Sequence, residues 1–138
     1  MSLLKVFVAA HVALFRATGG RIGSSMRGGK ILLLTTTGNR SGKPRTVPVM
    51  QFDDQGRRFV IGSFNGAPKD PAWIKNLRKT PRVGVEVRGS RYDAQTKLLS
   101  GDERERIWKK VVDAAPGFAA YQKRAQGREI PVVELVPV

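Results

Sequence analysis

Apolar and polar positions along the chain follow two periods, and each marks off its own elements. Leu3 to Phe15 is apolar apart from Lys5 and His11 and is rich in good helix formers, so it predicts one helix stopped by Gly19-Gly20. Ile31 to Leu34, continued by Thr35, Thr36 and Thr37, reads as a buried strand, with the β-branched run Thr46 to Phe52 as its partner. Pro48 lies inside that second run. Proline donates no backbone hydrogen bond, so this strand is expected to be an edge or locally unpaired, with backbone open to a ligand. Asp53-Asp54-Gln55-Gly56 predicts a hairpin turn, and Arg58 to Ser63 returns from it with Phe59 and Ile61 on one face.

Beyond a loop at Phe64 to Lys69 the period changes to that of a helix. Asp70-Pro71 predicts its start, with Asp70 as N-cap and Pro71 at the first helical position, and Thr80-Pro81 its end. Trp73 shares a face with Leu77, the ordinary pattern of core packing. Trp73 also falls in the first turn, beside the unbonded amides of a helix N-terminus, where an indole can flank a bound ring. Val83, Val85 and Val87 alternate with polar positions as a half-buried strand, paired through Gly89-Ser90 with Arg91 to Leu99. Asp102 and Glu105 have capping-box spacing ahead of a helical stripe of Ile107, Trp108, Val111, Val112 and Ala115. Pro116-Gly117 breaks that helix, a short one follows from Phe118 through Tyr121 and Gln122, and Ile130 to Val136 supplies a last strand. Six strands arriving mostly as hairpins, with helices at the front, in one crossover and near the end, predict an α+β sheet or small barrel rather than parallel winding. Residues 1–138 read as one domain, with 1–28 as an N-terminal helical segment.

Composition narrows the chemistry. The 138 residues include no cysteine and a single histidine, which removes disulfides, thiolate metal sites, cysteine nucleophiles and multi-histidine centres. The formal charge is +14, and residues 1–52 hold eight basic residues and no acidic one. Such a chain calls for an anionic partner: nucleic acid, an anionic membrane surface or a polyanionic small molecule. Aromatic residues make up 7% of the chain and form no recognition motif, which weighs against nucleic acid. The N-terminal apolar run is shorter than the roughly 20 residues of a bilayer span. It reads as a core helix, then as an interfacial helix flanked by Lys5, Arg16 and Arg21, and last as a signal peptide.

The candidate site is Gly38-Asn39-Arg40-Ser41-Gly42-Lys43-Pro44-Arg45, between the first two strands. Glycines at both ends let N–H groups point inward, Ser41 adds a hydroxyl, and Arg40, Lys43 and Arg45 add charge, as a phosphate requires. A solvated hairpin turn has much the same composition, and the spacing is not that of a P-loop.

Taken in order, Leu33 to Arg45, Gly66-Ala67-Pro68-Lys69-Asp70-Pro71-Ala72-Trp73, Asn76-Leu77 and Arg128-Glu129-Ile130-Pro131-Val132-Val133 resemble the coenzyme F420 (deazaflavin)-dependent nitroreductase and quinone reductase family of actinobacteria. The resemblance covers about residues 30 to 138 and implies a split β-barrel of the flavin-binding type. It implies F420, an 8-hydroxy-5-deazaflavin with a phosphate and an oligoglutamate tail, as cofactor, and a hydride passed from it to a quinone or nitro-aromatic acceptor. Asn39, Arg40, Ser41 and Arg45 would then meet the phosphate within the Gly42 and Lys43 turn. Thr46, Val47, Pro48, Val49 and Met50 would line the cofactor, and Ile61, Gly62, Ser63 and Phe64 would reach its ring. Ala72, Trp73, Ile74, Lys75 and Asn76 would contribute a helix N-terminus. Phe118 and Tyr121 match the family's aromatic cluster over the ring, while Ala115 stands where the family has a tyrosine. Tyr121 and Ser63 are the candidate proton donors. An enzyme of the same barrel using flavin mononucleotide is the main rival, and a basic nucleic-acid-binding module the second. The expected location is cytoplasmic, with peripheral contact at the inner face of the plasma membrane.

Overall fold

In the computed structural model, which describes residues 3–21, 25–26, 29–63 and 66–138, the elements run α1 (Leu3–Ala17), β1 (Ser25–Met26), β2 (Gly29–Thr37), β3 (Pro44–Asp54), β4 (Arg57–Ile61), α2 (Ala72–Lys79), β5 (Arg82–Val87), β6 (Ser90–Leu98), α3 (Gly101–Ala114), α4 (Gly117–Arg124) and β7 (Val132–Pro137). Strands β2, β3, β4, β7, β6 and β5 pair antiparallel in that order, and β5 closes on β2 through Leu34 opposite Val85. This is the expected α+β split barrel. The short β1 pairs antiparallel with the start of β2.

Strand alternation divides the core in two. Leu32, Leu34, Val60, Val85, Val133 and Leu135 point into the barrel, where Trp73, Ile74 and Leu77 of α2 meet them. Phe59, Ile61 and Val132 point outward and are covered by Ile107 and Val111 of α3 and Phe118 of α4. Ile107 and Val111 stand one turn apart and are 1% exposed, so each contributes about 1.5–3 kcal/mol of burial. On α1, Val8, His11 and Val12 are half-buried and Phe15 is buried, while Leu3, Phe7 and Leu14 form an exposed stripe. The end of α1 is fastened to the barrel by Arg16, which donates to both carboxylate oxygens of Glu86 at 3.0 and 2.9 Å. Gly20 lies so close to Arg88 that a Cβ would stand 2.7 Å from its Cα.

β3 is incompletely paired. It pairs with β2 from Pro44 to Gln51, but with β4 only from Gln51 to Asp54. Among the described residues, therefore, Pro44 to Met50 has a strand neighbour on one side alone, and Pro48 falls within this half-paired stretch as its chemistry requires. Past Ile61 the chain turns from β3 toward β7, with the Gly62 N–H donating to the Pro131 carbonyl at 2.9 Å.

Three local expectations are corrected. Pro71, extended at ψ 155°, occupies the N-cap position of α2 and makes no side-chain cap, because helical geometry begins only at Ala72. Asp70 is thereby one residue too early to cap, and its carboxylate accepts from Arg78 at 2.9 Å and Arg128 at 2.7 Å. The Asp102 and Glu105 capping box is also unformed: Ser100 is the N-cap of α3, and Glu105 accepts from Arg104. The β5–β6 turn is Arg88-Gly89, one residue earlier than the sequence suggested.

Candidate cofactor site

The turn between β2 and β3 is held as a closed loop. The Gly38 N–H donates to the Lys43 carbonyl at 2.8 Å, and the Gly42 N–H returns to the Gly38 carbonyl at 2.9 Å, with Gly42 at φ 70°. Over Gly38 the side chains fold inward. A Cβ there would stand 2.7 Å from the Ser41 Oγ and 3.2 Å from the Lys43 carbonyl oxygen, so a side chain at residue 38 would displace Ser41 from its place in the turn. Ser41 Oγ accepts from the Lys43 N–H at 3.2 Å and from the Arg45 guanidinium at 3.5 Å. Arg40, Lys43 and Arg45 remain exposed, and no carboxylate bonds any of them among the described residues. The Gly38, Gly42 and Lys43 amides are bonded within the turn, so what it presents to a phosphate is the Ser41 hydroxyl among the three exposed cations Arg40, Lys43 and Arg45.

α2 holds this turn from behind. Asn76, 4% exposed, accepts from the Asn39 N–H at 2.9 Å and donates to the Thr36 hydroxyl at 2.9 Å. Lys79 donates to the Asn39 carbonyl at 2.9 Å. The turn is therefore tied to the middle and end of α2, not to its N-terminus. Ala72 and Lys75 are exposed, whereas Trp73 and Ile74 lie inside the barrel. Ile74 is enclosed beneath Gly62, where a Cβ would stand 2.9 Å from its Cγ1. Of the five α2 residues read as cofactor contacts, Trp73, Ile74 and Asn76 thus have their side chains in the supporting wall.

The same sorting applies to β3. Val47 and Val49 pack against the barrel interior, while Thr46, Pro48 and Met50 alternate onto the outer face. Thr46 contacts the Thr35 hydroxyl at 2.7 Å and Arg16 of α1 at 3.4 Å. Met50 packs with the cluster that includes Phe118 and Tyr121. The outer face of β3 thus runs as a floor from α1 to α4, with Pro48 between, and the phosphate-type turn lies at its end.

At the far side, Phe118 and Tyr121 are edge-to-face with centroids 5.3 Å apart, and Phe118 makes similar contacts with Phe52 and Trp108. Phe118 is 6% exposed and backs the cluster, whereas Tyr121 is half-buried with the Arg124 guanidinium 5.0 Å from its ring centroid. Ile61 ends β4 within this cluster and Ser63 lies two residues beyond it; Phe64 lies outside the described residues. Ala115 is half-buried at the α3 C-cap.

Sequence reasoning missed Arg128. Its guanidinium donates to the carbonyls of Gly62 at 3.0 Å, Ser63 at 2.8 Å and Ala67 at 3.0 Å, and to Asp70 at 2.7 Å. A lone arginine after a glycine carries no local signal for such a role. Nor did the pattern reveal Arg16 beside Thr46, since the two lie 30 residues apart.

The chain matches the model of a family described as F420H(2)-dependent quinone reductase over residues 7–137. It is 34% identical over 129 residues to an F420H(2)-dependent quinone reductase of Mycobacterium tuberculosis strain H37Rv, covering 91% of this chain and 86% of the relative. Among solved structures it resembles an F420-H2 dependent reductase, with TM-score 0.69 and 40% identity over 76% of this chain and 92% of the other. It also resembles a protein solved as a domain-swapped dimer, with TM-score 0.72 and 36% identity over 92% and 93% of the two chains.

Proposed function

The chain belongs to the F420H(2)-dependent quinone reductase family, and from that membership we propose that the Gly38 to Arg45 turn holds the phosphate of F420 while the outer face of β3 seats its ring. The protein is an oxidoreductase that uses coenzyme F420 to reduce a quinone. When bound, the reduced deazaflavin supplies the hydride. The chain supplies position, charge and a partly dry wall.

The observation that carries this reading is the juxtaposition of an anion-type turn with a half-paired strand. Arg40, Lys43 and Arg45 balance phosphate charge, and Asn76 and Lys79 keep the turn's backbone from adapting to other shapes. Thr46, Pro48 and Met50 offer a flat floor, and Gly62 and Ser63 follow the end of β4, where the chain turns to β7. Tyr121 stands at the acceptor side with a hydroxyl able to donate to the oxygen that gains charge on a reduced quinone, and Ser63 is the second donor. Phe118 keeps Tyr121 in place by edge contact. A nitro-aromatic acceptor meets the same wall, with Ala115 offering it less contact than a tyrosine would.

The exposed stripe of α1 supports contact with an anionic membrane surface, where lipid-soluble quinones reside. Leu3, Phe7 and Leu14 face outward near Lys5 and Arg16, the arrangement of an interfacial helix. No described helix is long and apolar enough to cross a membrane.

The test is a titration of purified protein with F420 and with flavin mononucleotide, followed by oxidation of the reduced deazaflavin with a soluble naphthoquinone. Tighter, more salt-sensitive binding of F420 and quinone-dependent oxidation are expected. Equal or tighter binding of flavin mononucleotide would reject the phosphate-turn assignment.

A further inference from the structure

We propose that Arg128 is a positioning residue for hydride transfer, fixing the Gly62 to Asp70 segment against the aromatic wall of α4. The proposal rests on the F420-dependent reading above and concerns a residue that touches neither the phosphate turn nor the floor of β3.

Arg128 lies between α4 and β7, and its side chain is 11% exposed. All three guanidinium nitrogens are engaged: Nε with the Ala67 carbonyl, one terminal nitrogen with the Gly62 carbonyl and Asp70 Oδ1, the other with the Ser63 carbonyl. Three carbonyls and one carboxylate, from Gly62, Ser63, Ala67 and Asp70 ahead of α2, thus converge on one rigid plane. A planar fork imposes relative positions on its acceptors, which a single ammonium cannot do.

The other side of Arg128 is fixed to α4. Gln122, next to Tyr121, donates to the Arg128 carbonyl at 2.6 Å and accepts from the Ile130 N–H at 3.1 Å. The clamped segment also touches α4 directly. Gly66, at φ 77°, packs so closely that a Cβ would stand 2.7 Å from the Tyr121 carbonyl oxygen and 2.9 Å from the Arg124 Cβ. Arg128 therefore sets the spacing between Ser63, just past the end of β4, and Tyr121 of α4. With F420 seated as proposed, ring and acceptor would meet near these two residues, and the rate of a hydride transfer falls steeply with misplacement. The phosphate turn is held by Asn76 and Lys79, so cofactor affinity and catalytic geometry have separate supports.

The experiment compares the full-length protein with Arg128→Lys and Arg128→Gln. Without cofactor, hydrogen–deuterium exchange should rise over residues 62–70 in both variants and stay unchanged over 38–45. With F420, the dissociation constant should remain within about threefold of wild type, while kcat for naphthoquinone reduction falls about tenfold to a hundredfold. The primary isotope effect from reduced deazaflavin deuterated at carbon 5 should increase, and Arg128→Lys should recover part of the loss seen in Arg128→Gln. Arg128→Lys retains a cation opposite Asp70, so it serves if Arg128→Gln does not fold. Unchanged kcat, equal losses in affinity and kcat, or exchange rising throughout the barrel would overturn the proposal. A wild-type protein that neither binds F420 nor reduces quinone would instead reject the reading on which it rests.

Discussion

The side-chain amide of Asn76 accepts the backbone N–H of Asn39 at 2.9 Å, so one buried residue of α2 holds the apex of the phosphate-type turn. Its other end donates to Thr36, itself 1% exposed. Asn76→Ala strands a donor in the turn and a hydroxyl in the core, at a cost of about 1–3 kcal/mol of stability. F420 affinity should fall about tenfold or more in the same variant, because the turn loses its preset shape. Chemical denaturation and fluorescence titration measure the two effects, and unchanged affinity would show that the turn holds its shape unaided.

Arg40 and Arg45 are exposed, so their removal tests charge without disturbing packing. Arg40→Ala and Arg45→Ala should each cost roughly 1.5–3 kcal/mol of F420 affinity and leave the unfolding midpoint unchanged. The salt dependence of binding should weaken in step. Full affinity in both variants would make the turn a solvated hairpin.

Tyr121 retains its ring contacts when its hydroxyl is removed, which makes Tyr121→Phe a narrow test of proton donation. Quinone turnover should drop about tenfold while F420 affinity is unchanged. A bulky nitroimidazole, meeting Tyr121 and the small Ala115 while the buried Phe118 only backs them, should be reduced slowly or not at all. Fast nitroimidazole turnover with no quinone turnover would overturn this view of the acceptor wall.

The outward stripe of α1 can be altered without touching Phe15 or Arg16, which fasten the helix to the barrel. Phe7→Glu with Leu14→Glu should abolish sedimentation with anionic vesicles yet preserve reduction of a water-soluble quinone. If the wild-type protein ignores such vesicles, the stripe has another use.

Glu134 in β7 accepts twice from Arg57, at 3.0 and 2.8 Å, and this bonding holds its carboxyl below the usual carboxylate range despite the opposing effect of burial. A lowered folded-state pKa means that the pair's stabilisation is present above the ordinary glutamate value, about 4.3, and is lost as pH falls through the folded value. Glu134→Gln should therefore be about 1 kcal/mol less stable than wild type at pH 7, with the gap closing below roughly pH 4. Urea melts across that range measure the difference, and a gap independent of pH would assign the loss to packing.

What the sequence disclosed follows from the range of the forces involved. The alternation of Val83, Val85 and Val87, the Gln55-Gly56 turn with both residues at positive φ, and the glycine-bracketed turn at residues 38–45 are local patterns, and each appears in the fold. The cap assignment at Asp70 failed because a distant partner competes for the same carboxylate, and that at Asp102 because the helix begins earlier, with Ser100 as N-cap. Asp70 is taken by Arg128, 58 positions away, and no window of neighbouring residues contains that choice. Likewise, Thr46 to Met50 was legible as a strand, but barrel closure decides that Val47 and Val49 face inward.

The half-paired stretch of β3 carries a hazard as well as an opening. An unpaired strand edge is a template for another chain, and residues 44–50 would otherwise offer a full rung of donors to a newcomer. Pro48 lacks the N–H that such an addition would use, and a proline is tolerated in a strand where that missing group faces away from the existing neighbour. The residue read as part of a floor for a small flat molecule thus also denies a donor to any strand that would add along this edge. Pro48→Val would restore the donor, and the edge would become sticky before the barrel became unstable.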